Sequence, residues 1–189
     1  MISFDKLKLV STLGSIVVFD SAYFDIKTRG GRTISIAMSM KQPFKLNIEI
    51  NYDKGEVTIE FTGKVLGERY PELINLNTIQ ECFQSINALV FCEIDIEKMM
   101  YAQVVKCDVT KDIPIANIPS LNRFIRGHVK NYQSYVCKFE RNGNLIIEKN
   151  VTGRRYKRRI TLYDKEEEMM KSTGQAFKME GLKEYAVLK

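Results

Sequence analysis

Residues 44–61 constrain the chain more than any other stretch. Phe44–Ile50 (FKLNIEI) alternates strictly, with Phe44, Leu46, Ile48 and Ile50 on one side and Lys45, Asn47 and Glu49 on the other. A period of two is the mark of a strand with one buried face. Tyr52-Asp53-Lys54-Gly55 interrupts the alternation and Glu56–Phe61 (EVTIEF) resumes it, which predicts an antiparallel hairpin. Upstream, Ser15–Phe19 (SIVVF) is a β-branched run. Arg29-Gly30-Gly31 is a turn signal, and Thr33–Met38 (TISIAM) alternates after it. Downstream the period changes. Leu73, Leu76, Ile79, Phe83, Ile86 and Leu89/Val90 recur at spacings of three and four, which predicts a helix over Glu72–Val90, with Asn77 or Thr78 interrupting or capping it.

The second half repeats this plan. Ala102–Val109 reads as an apolar strand, Pro114 and Pro119 bracket a loop, and Ser120–Val129 reads as a short helix with Ser120 as N-cap. Tyr135–Phe139 and Leu145–Glu148 flank Arg141-Asn142-Gly143-Asn144, whose Asn-Gly pair is a strong hairpin signal. Gly153-Arg154-Arg155, a strand at Arg159–Leu162 and a helix from Asp164 through about Lys171 follow. NYDKGEVTIEF beside FERNGNLIIEK points to two related halves, 1–100 and 101–189, within one domain of 189 residues. The expected class is α+β, an antiparallel sheet with helices packed on one face.

Composition narrows the function. Apolar residues make up 44% of the chain and charged residues 28%, enough apolar material for a packed core without staples. No apolar run reaches the ~18 residues of a membrane span, and MISFDKLKL lacks the layout of a signal peptide. The expectation is a cytoplasmic protein with no membrane partner and no small-molecule cofactor. Cys82, Cys92, Cys107 and Cys137 then read as reduced thiols packed in the core. With no CxxC pair and His128 the only histidine, a zinc site is not expected. Charge is uneven. Residues 1–100 hold 11 Lys and Arg against 13 Asp and Glu, whereas residues 101–189 hold 18 against 10. A basic excess confined to one half suits a polyanion such as nucleic acid, although a basic protein without such a partner has the same composition.

Two constellations could carry chemistry. In Gly153–Met170 (GRRYKRRITLYDKEEEMM), Arg154, Arg155, Lys157, Arg158 and Arg159 surround Tyr156. Cations neutralise phosphates and aromatic rings stack on bases, so the run suits a DNA strand; a solvated basic hairpin is the plainer reading. Tyr163 falls where an apolar strand becomes an acidic helix, and a phenol there could attack a phosphodiester in line, with Lys165 close by. The same Tyr is ordinarily a packing residue. In Lys106–Asp112 (KCDVTKD), Asp108, Thr110 and Asp112 share one face of a strand, where a carboxylate could hold a hard cation or pair with Lys106 and Lys111.

EFTGKVLGE (60–68), VVKCDVTKDI (104–113) and RRITLYDKEEEM (158–169), in that order, resemble the rolling-circle replication initiators of the filamentous-phage endonuclease type and of the related Rep-trans plasmid group. The resemblance implies a sequence-directed nickase acting on single-stranded or hairpin origin DNA, with a homodimer compatible. Tyr163 would attack the strand, leaving a 5′-phosphotyrosyl link and a free 3′-OH. Asp108 would hold Mg²⁺ or Mn²⁺, Lys165 and Arg158 or Arg159 would sit at the phosphate, and Lys64 would serve the scaffold or contact DNA. That family carries a further L-R-x-E strand whose Glu completes the metal site, and this chain ends about where it would begin. The chain is therefore expected to be the N-terminal portion of a longer initiator or a truncated or degenerate remnant of one, and the resemblance leaves the nicking activity of this portion by itself open. A non-catalytic nucleic-acid-binding module and an interaction domain with an incidental basic face are the alternatives.

Overall fold

The computed structural model describes residues 2–114, 124, 127, 135–140, 144–149, 159–164 and 185–188. The chain divides into two compact units, residues 1–109 and residues 110–189.

The first unit holds the hydrophobic core. Its strands are β1 (Ser3–Thr12), β2 (Ile16–Val18), β3 (Asp25–Arg29), β4 (Arg32–Met40), β5 (Leu46–Asn51), β6 (Glu56–Thr62), β7 (Cys92–Ile94) and the first part of β8 (Gln103–Pro114). Six of them form an antiparallel sheet in the order β3-β4-β5-β6-β1-β8, and β2 pairs with β7 separately. Alternation sets which side is buried. Leu9, Ile59, Ile48 and Met38 form one cross-strand row, and Leu7, Phe61, Leu46 and Met40 form the next. All but Met40 are buried, while Lys8, Glu60, Asn47 and Ser39 occupy the opposite face. The expected Phe44, Leu46, Ile48 and Ile50 stripe is buried as a set.

Helix α1 (Ile79–Asn87) covers the apolar side through Cys82, Phe83 and Ile86, and the Phe83 ring meets Phe61 edge-on at 5.9 Å. A second helix, α2 (Ile96–Met99), is a single turn with Asp95 as N-cap. The helix expected over Glu72–Val90 is shorter than its periodicity. Residues Gly63–Glu72 hold two short 3-10 segments separated by a kink at Gly67, with φ 58°, and Leu73, also at φ 58°, ends the second. Polar side chains stabilise the break. Asn75 donates to the Glu72 and Leu73 carbonyls, and Thr78 Oγ1 donates to the Leu73 carbonyl at 2.7 Å and accepts from the Asn75 amide. Asn and Thr offering the backbone such local partners compete with helix.

Four strands lie outside the sequence expectations. β1 occupies the stretch read only for its lack of a signal peptide, and β3, β7 and a strand at Tyr185–Leu188 occupy stretches assigned to no element.

In the second unit the strand order is β8-β12-β11-β10-β9, all antiparallel, with β9 (Tyr135–Phe139), β10 (Leu145–Lys149), β11 (Arg159–Asp164) and β12 (Tyr185–Leu188). The hairpin read from Asn142-Gly143 is the β9–β10 pair, with Leu145 opposite Phe139 and Glu148 opposite Val136. Leu145 and Leu162 form a small core with Cys137 and Ile147. Of the expected helix Ser120–Val129, Phe124 and Gly127 are described, and both are helical. The expected helix after Asp164 lies outside the described residues. Among the described residues no helix is long and apolar enough to cross a membrane.

Candidate functional site

The residues singled out for phosphodiester chemistry meet the structure at β11 and β8. Alternation along β11 puts Arg159, Thr161 and Tyr163 on one face and Ile160 and Leu162 on the other. Leu162 is buried in the small core and Ile160 beside it is 41% exposed; on the opposite face Ile146, in register with Thr161, is buried as well. Arg159 is exposed, and its Nε donates to Thr161 Oγ1 at 3.2 Å, which holds the guanidinium along the strand on the side of Tyr163. Tyr163 is half-buried.

Register shows what lies across from it. Tyr163 pairs with Val187 of β12, and Val187 pairs with Asp112 of β8. Tyr163 and Asp112 therefore share one row with a single strand between them, about 10 Å apart at the usual strand spacing. The acid in register with the phenol inside this unit is Asp112. Asp108, the acid singled out by the family pattern, lies four residues earlier on β8, in the first unit, and is half-buried. Two residues before Asp112 on the same side of β8, Thr110 is 5% exposed, and its Oγ1 is buried without a hydrogen-bond partner among the described residues. Buried hydroxyls are nearly always bonded, so this one marks a polar position with unused capacity.

Further along the same face, Glu148 stands opposite Arg159 across the β10–β11 pair and forms an ion pair with Lys138 of β9. Arg159 and Glu148 thus lie two rows from Tyr163 on this face, with Thr161, Ile146 and Lys138 in the row between.

Lys64 is the second residue of the 3-10 segment that begins at Gly63 in the first unit. Its Nζ stands 6.0 Å from the centre of the Tyr70 ring, whose hydroxyl donates to the buried Asp5 carboxylate at 2.7 Å. Its neighbours there are scaffold. Arg154, Arg155, Tyr156, Lys157, Arg158 and Lys165 lie outside the described residues. Sequence reasoning listed Asp112 beside Asp108 and Thr110 on one face; what it lacked was register, which only the pairing through β12 supplies.

The cysteines separate by burial. Burial pushes the Cys82 and Cys92 thiols up to about 12, so both stay protonated at neutral pH. Cys137 is half-buried against the small core of the second unit, whereas Cys107 is exposed and departs from the expected core packing. Cys107 leaves the core because it lies on β8, whose Val105 and Val109 are also exposed. Among the described residues no group of three or more His, Cys, Asp or Glu gathers in a way that could hold a metal ion. No family model, curated protein or solved structure matches this chain.

Proposed function

We propose that the chain is the DNA-nicking part of a rolling-circle replication initiator of a phage, plasmid or mobile element, acting in the cytoplasm, with Tyr163 as its nucleophile. The observation that carries the reading is the row Tyr163–Val187–Asp112, flanked on the same face of β11 by Arg159. The excess of cations in residues 101–189 supports a polyanionic partner.

The chemistry follows from the groups present. The Tyr163 oxygen attacks phosphorus in line, the phenol proton passes to a base or to solvent, and the P–O3′ bond breaks. The 3′ oxygen takes up a proton and leaves as a free hydroxyl, and the 5′ phosphate remains esterified to the tyrosine. Arg159 offsets charge on the non-bridging oxygens. Rejoining is the reverse attack by the 3′-OH. Asp108 was singled out for a divalent cation such as Mg²⁺ or Mn²⁺. Asp108 would hold that cation, which would polarise the scissile phosphate; Mg²⁺ commonly completes its octahedron with waters and substrate phosphate oxygens beside one or two carboxylates.

Single-stranded DNA labelled at its 3′ end, incubated with the full chain in Mg²⁺-containing buffer, tests the reading. Transfer of label to the protein, lost in Tyr163→Phe, is the expected result. Binding that weakens steeply with salt but never yields labelled protein would leave a non-catalytic nucleic-acid-binding module.

A further inference from the structure

The strand β3 ends the sheet of the first unit, and all five of its residues are exposed. One side pairs with β4; the other presents backbone donors and acceptors to no strand among the described residues. Such edges are commonly blunted by short length, charged side chains, a bulge or a proline on the edge strand, and β3 relies on its charges and its five-residue length. Here the register shifts between Lys27↔Ser35 and Thr28↔Thr33, so the extra residue, Ile34, sits on the inner strand β4 and the outer edge stays regular. DIKTR contains no proline.

The side chains at this edge fit a copy of themselves. Asp25 and Lys27 lie on one face of β3 and have no ion-pair partner among the described residues. Ile26 lies between them on the other face, in register with buried Ile36 yet 58% exposed.

We propose that β3 is a homodimer seam, in which two copies of the chain pair their β3 strands antiparallel about Ile26. That centre sets Ile26 against Ile26 and, twice over, Asp25 against Lys27 of the second copy. Centring on Lys27 would set Asp25 against Arg29 twice but oppose lysine to lysine on the axis, a like-charge pair that centring on Ile26 avoids, and a parallel in-register pairing would set every charge against its like. The self-complementary pattern therefore selects one register, and opposite charges directly across strands are the favourable arrangement. The closed two-fold symmetry uses the same patch on both subunits. A five-residue edge with one large apolar side chain, Ile26, falls below the ~800 Å² per partner of a standard interface, so the pairing is weak and salt-sensitive, with a Kd in the micromolar range. This seam does not depend on the nicking chemistry.

Sedimentation equilibrium of the full chain from about 1 to about 200 µM tests it, because a micromolar Kd crosses from monomer to dimer in that range. Asp25→Lys alone and Lys27→Asp alone each weaken dimerisation at least about tenfold, since each creates two like-charge pairs. Asp25→Lys combined with Lys27→Asp restores it, because the swapped pattern is again complementary. Far-UV circular dichroism, unchanged in all three variants, shows that the loss is not unfolding. A wild-type chain that stays monomeric throughout overturns the proposal. So does a dimer indifferent to the single reversals, or one that the double swap fails to restore.

Discussion

Tyr70 and Asp5 illustrate how much one side chain can fix. Both are buried, and the Tyr70 hydroxyl donates to the Asp5 carboxylate at 2.7 Å across 65 residues of sequence. Gly63 makes room for the ring, since a Cβ there would stand 3.2 Å from two of its carbons. Tyr70→Phe removes a charge-assisted hydrogen bond and is expected to cost about 1.5–3 kcal/mol, read as a lowered urea midpoint at unchanged slope. Lys64, the one described basic residue of the EFTGKVLGE segment, shares this scaffold. Nothing in the linear sequence joins Asp5 to that segment, so its structural role was not legible there. Glu60 behaves differently. Burial pushes its carboxyl up, but Lys6, with which it pairs, and then Lys106 and Lys8 outweigh burial and hold it below its ordinary value. A depressed carboxylate contributes stability that is present above its unfolded value and lost as pH falls through the folded one. Acid denaturation should therefore destabilise the wild type more steeply below pH 4.5 than Glu60→Gln, measured by urea midpoints at successive pH values.

At the scale of elements, the strands with a strict period of two were legible and the helix boundaries were not. The β5–β6 and β9–β10 hairpins read directly from alternation and turn residues. The apolar spacing before Ile79 continued through Leu73 and Leu76, yet Leu76 is 82% exposed, because Asn75 and Thr78 spend their hydrogen bonds on the turn. Periodicity registers apolar positions and is blind to that competition. β1 was missed because Lys6 and Lys8 disguise it, although Leu7 and Leu9 carry the expected alternation. Where α1 does form, it is the cover of the sheet. Phe83 is fully buried against Phe61, so Phe83→Ala should destabilise the first unit by about 3–5 kcal/mol, measurable by chemical denaturation.

At the scale of the whole molecule, the main core lies entirely within the first unit, from Leu7 to Met99, with Ala102 packed on it. A chain of residues 1–109 is accordingly expected to fold alone with a single cooperative thermal transition; a broad, non-cooperative melt would show that the core needs residues 110–189. The candidate site depends on the second unit. Tyr163, Arg159 and the acids of β8 were all legible as residue types in the right order. Their mutual placement was not, because β12, which sits between β8 and β11, is formed by the last residues of the chain and no local pattern announces its partners. Mass spectrometry of peptides from the full chain after incubation with single-stranded DNA tests the central claim most directly. The account predicts a nucleotide mass attached to the peptide carrying Tyr163 and to no other. An adduct on a different residue, or DNA cleaved with every peptide unmodified, would contradict it.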